Sequence, residues 1–215
     1  MIKRVGGTAA VVALAAVLLA PARAAAPLSD FADAWAKVDD YTCTIVSHDV
    51  LGTQTQDRRE NYWFKKPNFA KIEIVEGPGK GSGAVWHGGD TVVGHLGGIL
   101  SGFQQTVSLH DKRATSLRGD TIDSASFSFI LSYYQNAKGG LSEGPAETVD
   151  GTPVDTVLLK TADPAASNGV TREALYLSKA THLPVRRVKF DGDKLVKQQD
   201  FTNVKLDPGL KASDF

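Results

Sequence analysis

Apolar residues at Leu28, Phe31, Trp35 and Val38 recur three, four and three positions apart behind Pro27, with Ser29 or Asp30 available as a cap. That spacing lines one face of a short amphipathic helix. The period then changes to runs of strand character at Tyr41–Val50, Arg59–Phe64, Phe69–Val75, Gly83–His87 and Thr91–Leu96, each short and bounded by turn residues. A second helical period covers 124–137, where Phe127, Ile130, Leu131 and Tyr134 share a face, Asp120 and Asp123 precede it, and Gly139-Gly140 end it. Strand signals return at Thr152–Thr161, Ala174–Ser178, Pro184–Phe190 and Leu195–Leu206, with Asp150-Gly151 and Asp191-Gly192 as tight turns.

The order is a helix, about five strands, a glycine-rich middle, a helix and about five more strands, without the alternation of strand and helix that builds a parallel sheet. The pattern predicts a mainly β, α+β fold. There is no internal repeat, no Pro- or Ser-rich linker and no charge block, so a single domain is expected. Ten or more twisted strands in one antiparallel sheet must curl. Two apolar helices need an apolar surface to cover, and the concave side of a curled sheet supplies one.

The first two dozen residues follow different rules. Lys3 and Arg4 precede the apolar run Thr8–Ala20, Pro21 breaks it, and Ala22-Arg23-Ala24 has the small-residue spacing of a cleavage site. Residues 1–24 are expected to be a secretory signal peptide, cleaved after 24 or 26, since the run falls short of the ~20 apolar residues that span a bilayer. Lys3-Arg4, followed by Val5 and two glycines, does not make a twin-arginine signal, and no cysteine follows the run to carry a lipid. A periplasmic location is therefore expected.

Composition agrees with a globular chain: 215 residues, 42% hydrophobic and 22% charged, with 24 basic and 24 acidic side chains. Three of those bases and none of the acids lie in residues 1–24, so the remainder carries a formal charge of −3. A mildly acidic body argues against nucleic acid as a partner. Cys43, the one cysteine, excludes an internal disulfide, and its neighbours Thr42, Thr44 and Ile45 suggest a strand interior and an inert, buried thiol.

No motif for chemistry survives inspection. The stretch Glu76–Gly83 mixes glycines with Lys80 and Ser82, but Gly79-Lys80 follows Gly77 too closely for a phosphate loop, and a strand follows where a helix should. His48, His87, His95, His110 and His182 are scattered, without metal-ligand spacing. Ser82 and Ser101 lack a nucleophile elbow, although a triad can converge in space from any order. Asp39-Asp40 are adjacent and read as the polar end of the first helix rather than a carboxylate pair. No catalytic residue, metal or cofactor is expected.

Resemblance extends the reading. Trp63-Phe-Lys-Lys-Pro-Asn-Phe69 resembles the signature of the LolA family of periplasmic lipoprotein carriers, in which an aromatic strand ends in Lys-Arg-Pro-Asn. His87–Val92, the helical segment Phe127–Tyr134, Thr181–Arg186 and Asp207–Phe215 resemble later pieces of that family in the same order, and the glycine-rich Glu76–Gly81 with His95–Gly98 is similar to an uncharacterised branch of it. The resemblance, over nearly all of residues 25–215, implies a half-open barrel of about eleven antiparallel strands under a helical lid.

It further implies a carrier that holds acyl chains of lipoproteins, or another lipid, between sheet and lid. Strand alternation then nominates Tyr62, Phe64 and Lys66, with Ile72 and Ile74 on the next strand, as lipid-binding candidates, ordinary core packing being the alternative. Leu28, Phe31, Trp35, Phe127, Ile130, Leu131 and Tyr134 would form the lid. Lys66 stands where the family carries an arginine that ties the lid; lysine keeps the charge but lacks the fork of donors. Implied partners are a lipid or acylated protein and membrane-anchored donor and acceptor proteins, with the carrier itself a monomer. Two other readings stay open: an RseB-like envelope sensor, which in that family carries a second C-terminal domain, and an envelope hydrolase with a dispersed site.

Overall fold

The computed structural model describes residues 26–98 and 102–215. The expected signal peptide, and Ser101 among the serines weighed above, lie outside the described residues. Helix α1 spans Ala26–Ala36 and buries Leu28, Phe31 and Trp35, the face predicted for it. Val38 lies beyond the helix end but is buried as well.

Twelve strands follow in one sheet: β1 Asp40–Leu51, β2 Gln54–Lys65, β3 Phe69–Glu76, β4 Gly83–Trp86, β5 Thr91–His95, β6 Gln104–Ser108, β7 Gly140–Glu143, β8 Glu147–Val149, β9 Thr152–Lys160, β10 Arg172–Ser178, β11 Pro184–Asp191 and β12 Lys194–Leu206. The hydrogen-bonded path is β6-β5-β4-β3-β2-β1-β12-β11-β10-β9-β7, with β8 pairing β9 off it. Every pairing is antiparallel. The fold is thus an open, curled half-barrel, and the path of eleven strands matches the expectation.

Three strands escaped the sequence pattern. In β6 the segment Gln-Gln-Thr-Val-Ser is almost wholly exposed, and β7 and β8 are short and polar outside Leu141 and Val149. These edge strands form because neighbours offer backbone partners, which leaves little hydrophobic signature. Strand β2 starts at Gln54, five residues ahead of the apolar pattern, because the Gly52 turn (φ 61°) pairs Gln54 directly with Leu51.

The two path edges, β6 and β7, are joined by residues 109–139, so this connector crosses the open side of the half-barrel. Its C-terminal part is α2, Phe127–Gln135, preceded by a 3-10 turn over Asp123–Ala125 rather than by continuous helix from 124. Ser126 caps it, its side chain accepting from the Phe129 N–H at 3.1 Å. Residues 136 and 137, expected in the helix, lie beyond its last residue, Gln135, with Asn136 as the cap.

Helices α1 and α2 cover one half of the concave face. Phe127 stacks on Tyr41 (centroids 4.3 Å, planes 8° apart), while Trp35 packs edge-on to both at 5.7 Å. Phe64 and Phe201 complete this cluster from β2 and β12. Each such ring contributes roughly 1.5–3 kcal/mol by burial, and each edge-on or offset pair about 0.5–1.5 kcal/mol more.

Candidate ligand cavity

Alternation along each strand decides what faces inward. On β2, Phe64 and Tyr62 continue on the same face into Glu60, Arg58, Gln56 and Gln54; on β12, Phe201 continues into Gln199 and Lys197. The concave face is therefore aromatic beneath the helices and polar beyond them. On β3, β4, β5 and β6 the inward residues are apolar or small, Ile72, Ile74, Ala84, Val92, Gly94 and Val107, except for Gln105, which shares the face of Val107 on β6.

Over this second half lies a cavity of about 880 Å³, within the range of small-molecule sites. Its floor is the inner face of β1–β6 and β12, and its roof is connector residues 112–125, including Leu117, Ile122 and Ala125. Leu96 and Phe103, 58% and 59% exposed, stand at its edge.

Polar contacts hold the roof down. Leu117 N–H donates to Gln56 Oε1 at 3.0 Å, the Tyr62 hydroxyl to the Ile122 carbonyl at 3.0 Å, and Arg118 to the Asn168 carbonyl at 2.8 Å. Asp120 meets Lys197 Nζ at 3.0 Å, and Lys197, 3% exposed, also donates to Asp49 at 2.9 Å. Lys189 Nζ continues the chain, 3.8 Å from Asp120 and 3.9 Å from Glu173. Arg187, 2% exposed, closes it with Nη2 2.8 Å from Glu173, which also accepts from the Tyr133 hydroxyl at 2.5 Å. Three bases and three carboxylates thus balance.

Burial alone would push the Asp120 carboxyl up, but Lys197, Lys189 and Arg187 outweigh it and hold it well below the usual carboxylate range. The same contest, won by Arg187 and Lys189, lowers Glu173. Burial and then Arg187 bring the Lys189 amine down to about 8. At the cavity wall the balance tips the other way, because burial raises the Glu60 carboxyl, and Arg58 (3.9 Å) and Lys197 only partly offset it.

The residues nominated from sequence fall in three places. Ile72 and Ile74 line the cavity. Tyr62 and Phe64 share the inward face but are 0% and 1% exposed and lie outside the cavity lining, in the aromatic cluster under the helices. Lys66 follows the end of β2, with Nζ donating to the Trp35 carbonyl at 2.7 Å. Leu28, Phe31, Trp35, Phe127, Ile130 and Tyr134 are buried, with Leu131 partly so, and they pack on the sheet beside the cavity rather than over it.

Sequence reasoning missed the polar wall, Glu60, Gln199 and Lys197, and the whole roof. The first was readable by extending the alternation of Tyr62 and Phe64 toward the strand start. The roof has no periodicity. Elsewhere, His48 Nδ1 and Asp57 Oδ1 lie 2.6 Å apart, but Ser47 precedes His48 on an extended strand and so faces the opposite side.

No protein-family model and no curated protein matches the sequence. Solved structures do. The chain is similar to an uncharacterised conserved protein from Thermus thermophilus, at 11% identity over 88% of this chain and 90% of that one, with a TM-score of 0.57. It is similar to MucB at 15% identity over 88% of this chain and 62% of MucB, with a TM-score of 0.51. A LolA superfamily protein from Nitrosomonas europaea matches at 11% identity over 88% of this chain and 96% of that one, with a TM-score of 0.41. The resemblance stands at the level of the fold: an open half-barrel with helices on its concave face.

Proposed function

We propose that this chain is a binding protein or carrier for the acyl part of a lipid or of a lipid-modified protein, working in the cell envelope after export. The cavity carries the reading: about 880 Å³ between the sheet and the connector, walled on one side by Ile72, Ile74, Val92 and Val107. Burial of apolar surface contributes ~0.8 kcal/mol per methylene, so a chain of about sixteen carbons supplies about 13 kcal/mol, of which roughly 8 kcal/mol remains after an association cost of about 5 kcal/mol. That is enough for affinity approaching micromolar. The polar contacts on Leu117, Asp120 and Ile122 tie the roof at single points, which suits a connector that lifts to admit a chain and closes over it. Membrane-anchored donor and acceptor proteins would then load and unload it.

Native mass spectrometry of protein purified from the periplasm, followed by solvent extraction, tests this reading. The expected result is a bound species heavier than the mature chain by an extractable lipid, displaced by a fluorescent fatty acid. A sharp ligand-free peak together with no fluorescent fatty-acid binding would overturn it.

A further inference from the structure

The cavity walls differ in chemistry, and that difference bears on the ligand. The β3–β6 side presents Ile72, Ile74, Val92 and Val107 with one polar residue, Gln105, whereas the β1, β2 and β12 side presents Gln54, Gln56, Arg58, Glu60 and Gln199. A wall meant only for hydrocarbon would gain nothing from these groups, because each polar atom buried against methylene without a partner is destabilising. Two of them stand out. Gln199, 6% exposed, lines the cavity with Oε1 buried and unpartnered among the described residues. Glu60, 8% exposed, also lines it, and the one ion pair it makes among the described residues is to Arg58 at 3.9 Å.

Each offers an acceptor oxygen, Gln199 carrying an amide donor besides, and they share the concave face. The register places Gln199 opposite Ser47 and Glu60 opposite Ile45, so they sit on either side of β1, one side-chain rung apart. Adjacent strands are about 4.8 Å apart, so two spacings, roughly 10 Å, separate the two residues across β1, and inward side chains of this length leave between them a gap that a small group with more than one donor can bridge. By contrast the bases of this wall, Arg58 and Lys197, already have carboxylate partners in Glu60, Asp49 and Asp120, so an anionic head group would have to turn to Lys112 and Arg118 of the roof instead.

We propose that the cavity takes a neutral acyl amphiphile whose polar group donates hydrogen bonds, a monoacylglycerol being the simplest example, with its hydroxyls between Gln199 and Glu60 and its chain along Ile72, Ile74 and Val92. This rests on the acyl-binding reading above and adds that the head group enters the cavity with the chain. Acceptors left unsatisfied by the protein are satisfied by the ligand, so a chain lacking a donor leaves them buried and unpaired.

Titration calorimetry on the delipidated mature chain tests this with three probes of one chain length: monooleoylglycerol, oleic acid and methyl oleate. Monooleoylglycerol is expected to bind at least ten times more tightly than methyl oleate, which has no donor, and more tightly than oleate. Gln199→Met, close in volume and without an acceptor, should weaken monooleoylglycerol about three- to tenfold, as befits one hydrogen bond, and should bind methyl oleate no more weakly, since the unpaired acceptor is gone. Glu60→Gln, which keeps the shape, is a second variant should Gln199→Met fail to fold, with a smaller loss expected in the same direction. Equal binding of all three probes, or equal weakening of all by Gln199→Met, would overturn the donor requirement while leaving acyl binding intact. Binding of none would overturn acyl binding itself, and this inference with it.

Discussion

Lys66 Nζ donates to the main-chain carbonyl of Trp35 at 2.7 Å and lies 4.4 Å from the centre of its indole ring. The carbonyl belongs to the last turn of α1, where helix carbonyls lack intrahelical partners and favour a cation. Lysine therefore supplies by a single donor a tie between the end of the sheet's aromatic strand and the N-terminal helix. Burial lowers its amine somewhat, countered by Asp39 and Asp207.

Lys66→Met should remove this tie and cost about 1–2 kcal/mol, a charge-assisted hydrogen bond at a partly exposed site. Hydrogen exchange should rise selectively over 26–36, and Lys66→Arg should stay near wild type in both measurements. An unchanged exchange pattern in Lys66→Met would show that the aromatic contacts alone hold α1.

Lys197 joins the floor to the roof through Asp49 and Asp120. Lys197→Met strands the Asp49 carboxylate, which is 1% exposed, and should destabilise by roughly 3–5 kcal/mol in urea titrations. The double variant Asp49→Asn/Lys197→Met should recover more than half of that loss, giving a clear coupling energy.

Asp120 and Glu173 both have folded-state carboxyls held below their ordinary range, Asp120 against burial by Lys197, Lys189 and Arg187, Glu173 against burial by Arg187 and Lys189. A depressed carboxyl contributes stability that is complete above the unfolded value, ~4, and is lost as pH falls toward the folded value. Melting temperature should therefore drop steeply below about pH 4, and Asp120→Asn should flatten that limb. An identical acid limb in the variant would assign the acid sensitivity elsewhere.

Cys43 is 5% exposed on β1, and burial, with Glu60 adding to it, pushes its thiol far up. Native protein should resist Ellman's reagent for hours at pH 8 and react with one equivalent on unfolding in guanidinium. Rapid labelling without denaturant would mean that β1 opens locally.

Ile74→Trp should fill the apolar side of the cavity and lower fluorescent fatty-acid affinity at least tenfold. Ile74 is only half-buried against open cavity space, so the melting temperature should change little. Binding at wild-type affinity in a folded variant would locate the acyl site elsewhere.

Helix faces, sheet class and the aromatic strand were legible in the sequence because each is a local periodicity. Leu28, Phe31 and Trp35 name the face of α1 whatever it packs on, and Tyr62 and Phe64 must share a side of any strand that holds them. Even the count of strands along the path followed from family-like motifs in order. What only the tertiary structure decided is where the concave face changes character. Tyr62, Phe64, Glu60 and Arg58 alternate identically, yet the first two are sealed by α1 and α2 while the others meet a cavity, because the helices cover only half the curl. The roof was invisible for a related reason: residues 112–125 have no repeating pattern, and they lie over the sheet because β6 and β7 are opposite edges whose connection must cross the open side. Local chemistry specifies which way a side chain points. What it then faces depends on segments brought to it only by the order of strands in the sheet.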